Sequence, residues 1–318
     1  MSQYILRRLA LIPILLLGIT VLDFAFINLI PGDPVAAFTD ANELHAMDPV
    51  QIAARKKQLG LDKPIAVRYV VWLRDLAEGD LGRSIIKSQP VARMMVNGLK
   101  NTLLLMTLAL VVSAVIGIVF GILSAIKQHT FVDYLLTTFA FVGVGMPSFF
   151  FALILILVGA LQLGWFPTSG IVTPGDGSLP DRLKHMVLPL IALGITGCGS
   201  IMRYMRSSLI EVMNEDYITV ARAKGLTSTK VVTRHAVRNS LLPIITVLGL
   251  RIPHLFSGAV VIESIFSIPG IGSILVEAMK TKDYPVIMGG VLMTGVLVLV
   301  SSLIADMLYA VADPRIRY

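Results

Sequence analysis

The strongest constraint on this chain is what its longest stretches leave out. Thr102–Ile126 contains no charged side chain, and neither does Leu135–Leu163. About 20 consecutive apolar residues make a helix that crosses the hydrocarbon core of a bilayer, where every backbone polar group must be paired within the segment. Four further runs meet or approach that length: Leu9–Ile30, Val187–Met202 with an extension to Ser207, Leu241–Ile262 and Val286–Ala305. Composition agrees, since only 15% of the 318 residues are charged and 55% are hydrophobic. These values exclude disorder and argue against an ordinary soluble enzyme. The expected fold class is an all-α polytopic membrane protein with six transmembrane helices.

Arg7 and Arg8 precede the first run, as in a secretory signal. A cleavable apolar region is about 7–15 residues long and ends in small residues. This one is longer and runs into Asn28-Leu29-Ile30-Pro31, so it reads as a retained first span ended by Pro31 and Gly32. Orientation follows from Lys and Arg in the short loops. With the N-terminus inside, the cytoplasmic pieces hold Arg7, Arg8, Lys127, Arg203, Arg206, Arg222, Lys224, Lys230, Arg234, Arg238, Arg315 and Arg317, and the outside pieces after the third and fifth spans hold Arg182, Lys184, Lys280 and Lys282. Six spans then place both termini in the cytoplasm. The net charge of +7 fits loops facing anionic lipid and cytoplasm better than nucleic-acid binding. A single cysteine, Cys198, excludes an internal disulfide and a multi-cysteine metal cage.

Three divisions are expected: 1–30 with the first span, an external insert over 31–100, and a core of five spans over 101–318. The insert mixes both charge signs with apolar residues, and its periodicity predicts helices over Pro49–Leu61 and Ile65–Leu76. It either caps the bundle or docks a partner. Gly164–Pro180 is rich in Gly and Pro and reads as an external loop.

The loop 206–240 is too polar to span and too patterned to be a linker. Asn214, Glu215 and Asp216 offer a cap and an acidic first turn to a short helix of about ten residues. Tyr217, Ile218, Val220, Ala221 and Ala223 follow, then Lys224, with Gly225 as its stop. Thr227 or Ser228 can cap a second helix, Lys230–Asn239, on which Arg234 and Arg238 share a face. A helix–Gly–helix hairpin is stiff enough to transmit force. Its small Ala221 and Ala223 let a surface approach closely. The plainer reading is a basic loop resting on anionic lipid, and the cap–small–Gly–cap pattern favours a docking element.

Ionisable groups at span depth cost at least ~2.5–3.5 kcal/mol, so they face a cavity or a partner. Arg251 lies near the middle of the fifth run, with His254 almost a turn on. Either they line a translocation path or they pair with polar groups of a second subunit. Pro147 interrupts the third run, where a kink is expected. Ile268-Pro269-Gly270-Ile271-Gly272 breaks the chain after the fifth. Together with Glu263 and Phe266, it forms either a gate wall or a packed external turn. Gly194, Gly197 and Gly199 are expected to mark close helix packing in the fourth span.

No G-x-x-x-x-G-K-[ST] phosphate loop, H-E-x-x-H pair or G-x-S-x-G turn occurs, and the five histidines are scattered. No catalytic or metal-ligating constellation is expected. A self-sufficient ion-coupled transporter would carry intramembrane acids and, often, an internal repeat. Here only Asp23 lies well within a span, and no repeat shows.

Ala221-Arg-Ala-Lys-Gly-Leu226, followed by Arg234-His-Ala-Val-Arg-Asn-Ser-Leu-Leu-Pro243, resembles the cytoplasmic signature of binding-protein-dependent ABC importer permeases. Pro31-Gly-Asp-Pro34 after the first span, and Glu263 to Gly272 after the fifth, resemble the dipeptide/oligopeptide/nickel branch. The resemblance covers essentially the whole chain, in order. It implies a type I importer permease fold with a small external insert, in the bacterial cytoplasmic membrane. The implied partners are a second homologous permease, two ATPase subunits that bind ATP and Mg, an external substrate-binding protein and membrane lipid. No cofactor is expected on this chain. The resemblance makes Glu215–Leu226 the coupling helix, with Arg234 and Arg238 beside it. The branch carries di- and oligopeptides most often, and also nickel chelates, glutathione and some oligosaccharides. Two departures stand out: the family signature opens Glu-Ala-Ala where this chain has Thr219-Val220-Ala221, and its Ile-x-Leu-Pro ending is displaced, with Arg238 at the Pro position and Pro243 later.

Overall fold

The computed structural model describes residues 2–29, 35, 39, 46–58 and 61–312. Pro31–Pro34, Arg315 and Arg317 lie outside the described residues. Among the described residues, eleven main helices follow one another. They are α1 (Ser2–Leu29), α2 (Pro49–Gln58), α3 (Ile65–Ala77), α4 (Val91–Ile126), α5 (Phe131–Gly145) and α6 (Ser148–Leu155). After them come α7 (Leu179–Met213), α8 (Asp216–Ala223), α9 (Val237–Ile265), α10 (Ile271–Thr281) and α11 (Tyr284–Ala312). The all-α membrane fold class is borne out. Among the described residues, four helices are long and apolar enough to cross a bilayer: α1, α4, α7 and α11. The expected fifth span lies on α9, a helix of 29 residues.

The third run departs from a simple span. Chain direction changes by 108° between α5 and the helix that begins at Ser148, whose last part, Ile156–Gln162, is wound as a π-helix. Pro147 explains the position of the break. It cannot donate to the preceding turn, and it biases Met146 to an extended backbone, seen at φ −91° and ψ 127°. The expected kink is therefore a full break.

Two other boundaries move. α4 begins at Val91, so the expected end of the insert at residue 100 falls inside a helix. Val91 and Met95 are fully buried and hold that first part in a packed cluster. α7 runs from Leu179 to Met213, well beyond Val187–Ser207, and is started by Ser178, whose Oγ accepts from Asp181 N at 3.4 Å.

The chain divides into two compact units. One contains 103–268 with residues from both ends of the chain, and the other contains 6–102 and 269–299. In the first, Leu105, Ala152, Met186, Leu188, Ile262 and Phe266 belong to one apolar cluster. Ile201, Met205, Leu209, Ile218, Val231 and Ile244 belong to a second. The turn-rich segment 164–178 is pinned to α7, since the Asp181 carboxylate accepts from Thr173 N at 2.7 Å and Thr173 Oγ1 at 2.6 Å.

In the second unit, Val91, Met95, Ile271, Leu275 and Val286 are packed together. Asp283 is almost fully buried and accepts from Ser84 Oγ at 2.5 Å and Ile85 N at 3.2 Å, which ties the 84–86 segment to the start of α11. α3 lies against α1 through Phe24, Tyr69 and Trp72, with the Thr20 and Tyr69 hydroxyls 2.9 Å apart.

Candidate functional site

The segment after α7 is built as an anchored hairpin. Asn214 closes α7, and Glu215 is the N-cap of α8, with φ −73° and ψ 147°. Ile218 and Ala221 are buried, one turn apart, in the cluster of Ile201, Met205, Leu209 and Val231. The opposite side leaves Tyr217, Val220, Ala223 and Lys224 exposed. Ala221 therefore makes its close approach within this chain, while Ala223 remains open to another surface. Gly225 follows at φ +79°, a left-handed conformation that suits glycine, and a Cβ there would meet nothing within 4 Å. Its role is conformational rather than steric.

The second arm differs from expectation. No separate helix ends at Asn239. A turn at Ser228–Lys230 leads through a π-helical stretch, Val231–Ala236, straight into α9. Burial of Val231, Val232 and Ala236 on the α7 side keeps the helix going, because breaking it would leave buried backbone groups unpaired. Arg234 and Arg238 are both exposed, and Asn239 Nδ2 donates to the Tyr217 hydroxyl at 3.1 Å across the two arms.

A polar knot missed in the sequence lies in the same unit. Arg206 grips Asp133 with two bonds, Nε to Oδ1 at 2.9 Å and Nη2 to Oδ2 at 2.8 Å. Ser124 Oγ also donates to Asp133, and His129 N donates at 3.0 Å. The carboxylate thus joins the end of α4, the loop after it, the start of α5 and α7. The sequence alone marks Arg206 only as a loop cation, and nothing local to Asp133 marks its partner.

Along α5 and α7, small residues replace charge. A Cβ on Gly143 would come 2.9 Å from the Ile195 carbonyl oxygen, and one on Gly199 would collide with that of Ala140. Gly194 has the same tight fit against Val112, at 2.6 Å.

Arg251 donates to Ser200 Oγ on α7. A Cβ on Gly197 would lie 3.3 Å from Arg251 Nη1 and 3.0 Å from Ser113 Cβ, so the guanidinium uses space that the missing side chain leaves. His254 falls on α9, and its side chain is outside the described residues. Pro147 is the N-cap of α6. Glu263 and Phe266 are buried, and the Phe266 carbonyl accepts from Gly170 N at 2.7 Å. In this conformation neither side chain faces an opening. Pro269 and Gly270 form the entry to α10, where Pro269 O accepts from Asn101 Nδ2 at 2.9 Å and Ile271 N donates to Thr102 Oγ1 at 2.9 Å. Gly272 is buried on α10.

The model of the family described as binding-protein-dependent transport system inner membrane component matches residues 117–318. The model of its N-terminal part, described as binding-protein-dependent transport system membrane component, matches residues 1–106. This chain belongs to that permease family. Similar permeases include the oligopeptide transport system permease protein of Bacillus subtilis, 42% identical, with all of both chains covered. The dipeptide transport system permease protein of Escherichia coli K12 is 38% identical over all of this chain and 99% of its own. A crystal structure of an amino acid ABC transporter with histidines covers 68% of this chain and 93% of its own, with a TM-score of 0.51 and 20% identity. That likeness concerns the fold, and it agrees with a type I importer permease.

One side of α8 is fixed in the chain's own core and the other is free. Among the described residues, no group of three or more His, Cys, Asp or Glu side chains could hold a metal ion.

Proposed function

We propose that this chain forms half of the translocation pathway of an ATP-driven importer of short peptides, with α8 as the element that docks an ATPase subunit. The observation that carries the docking role is the division of α8. Ile218 and Ala221 are buried, while Tyr217, Val220, Ala223 and Lys224 are exposed. A push on the free side is transmitted to α7 and α9 because the buried side belongs to their cluster. Arg222, Lys224, Arg234 and Arg238 surround the free side and suit an acidic rim on the partner. The peptide substrate is supported by full-length similarity to permeases named for dipeptide and oligopeptide transport.

In this reading, the assembly contains a second homologous permease, two ATPase subunits and an external binding protein, with both termini of this chain in the cytoplasm. ATP and Mg are bound by the ATPases, and hydrolysis takes place there. ATP binding closes the ATPase pair, α8 carries the motion into α7 and α9, and the pathway opens to the binding protein. Arg251, held at Ser200, is the candidate cation for a peptide carboxylate in that pathway, with His254 and Pro147 as further pathway positions. Pro269, Gly270 and Gly272 shape the turn at its external end.

The test is reconstitution. The complex in proteoliposomes, with ATP inside and binding protein outside, takes up a labelled dipeptide. Uptake without ATPase subunits, or by this chain alone, would overturn the proposal.

A further inference from the structure

The second unit contains a cavity of about 370 Å³ between α1, α3 and residues 80–85. Its floor is aromatic and apolar, with Phe24, Trp72 and Met288 among its lining residues. Its charges are of both signs. Arg83 is engaged with Ser88 O at 2.7 Å, and Asp80 with Gly82 N at 2.8 Å. Lys63 also lines the cavity and is exposed, and Arg68 and Asp75 stand together on α3. Among the described residues, neither side chain forms an ion pair or a hydrogen bond.

Arg68 is half-buried, with its guanidinium carbon 5.9 Å from the centre of the Phe24 ring. Burial lowers its pKa from the usual arginine value. A partly desolvated cation without a carboxylate is costly, and an anion entering the cavity would offset that cost. Asp75 supplies the opposite charge at the rim.

Spacing completes the argument. Arg68, Trp72 and Asp75 stand at i, i+4 and i+7 on α3, which places all three on one stripe of the helix. Seven residues of helix rise about 10 Å. An extended chain covers about 3.3–3.6 Å per residue, so two or three residues carry an ammonium and a carboxylate across that span.

We propose that this cavity is a binding site for a short zwitterionic peptide. The peptide carboxylate lies at Arg68, its ammonium at Asp75, and an apolar side chain rests on Trp72. The site rests on the peptide-importer reading for its physiological source, and its chemistry is independent of that reading. It is separate from Arg251 in the first unit and would hold peptide on the permease itself.

The experiment measures equilibrium binding of labelled Ala-Phe-Ala to the purified permease–ATPase complex in nanodiscs, without binding protein. N-acetylated and C-amidated forms serve as probes. Glycerophosphoethanolamine serves as a competitor with the charges of a lipid headgroup. Asp75→Asn and Arg68→Gln should each weaken binding about tenfold or more, the range of a lost charge-assisted hydrogen bond. Acetylation should weaken binding to the unaltered complex but not to Asp75→Asn, and amidation should behave likewise for Arg68→Gln. Asp75 is exposed, so its variant keeps the packing intact. Binding unchanged in both variants, or equal displacement by glycerophosphoethanolamine, would overturn the proposal. Uptake by the same complex with binding protein separates the two readings. Import without cavity binding rejects this site alone, and cavity binding without import rejects the importer reading alone.

Discussion

Gly225 and the Arg206–Asp133 pair show two ways in which single residues hold the segment that contains α8. At φ +79°, Gly225 is in a region that costs an L-residue roughly 1–2 kcal/mol. No neighbour opposes a Cβ there, so the penalty should follow backbone preference rather than size. Gly225→Asn should be the mildest change, Gly225→Ala intermediate and Gly225→Val the worst. Uptake per ATP hydrolysed and ATPase co-purification should fall in that order, and a Val variant equal to the unaltered chain would rule out the coupling role. Arg206 is different because its partner is buried. Arg206→Ala leaves the Asp133 carboxylate without its cation, which should cost about 3–5 kcal/mol. A melting curve of the purified complex measures this, and Arg206→Lys should fall between. Gly225 was legible because a helix stop is written in adjacent residues. Asp133 was not, because its partner is 73 positions away and nothing local announces it.

At the scale of elements, α5 and α7 run together on bare backbone. The Gly199 position lies against the Ala140 carbonyl, while Gly145 has open space where a Cβ would stand. Gly199→Val should therefore abolish a monodisperse complex, whereas Gly145→Ala should leave it unchanged. Size-exclusion profiles of tagged variants decide this, and a normal Gly199→Val profile would mean the helices are not packed this way. The glycines of α7 were legible as packing residues, since small residues let membrane helices approach. Pro147 located the break in the third run, but not its 108° turn. That angle depends on where the following helix finds its partners. Ala152, Phe151 and Leu155 pack with Leu188 and Ala192 of α7, contacts that no periodicity in residues 148–162 could reveal. The continuous helix through Val231–Ala236 was missed for the same reason, because burial against α7 outweighs the polar surface that suggested a short hairpin arm.

For the whole molecule, the distribution of charge makes a claim about sidedness. The apolar runs fixed which segments cross, and the excess of Lys and Arg over 203–238 assigned that loop to the cytoplasm. Sidedness follows from how the chain inserts, so it must be measured in the membrane. The sequence makes the measurement simple, because its one cysteine, Cys198, is fully buried. The unaltered chain should not react with a membrane-impermeant maleimide, so new cysteines can be read without removing it. Lys63, Trp165 and Lys224 are exposed and lie in residues 31–100, the turn-rich loop and the hairpin after α7 respectively. In cells with a permeabilised outer barrier, Lys63→Cys and Trp165→Cys should label at once. Lys224→Cys should label only after the cytoplasmic membrane is opened. If Lys224→Cys labels from outside, α8 cannot meet a cytoplasmic ATPase, and the proposed coupling falls with it. If Lys63→Cys labels only from inside, the cavity at Arg68 and Asp75 faces the cytoplasm. Its peptide would then be imported product rather than arriving substrate.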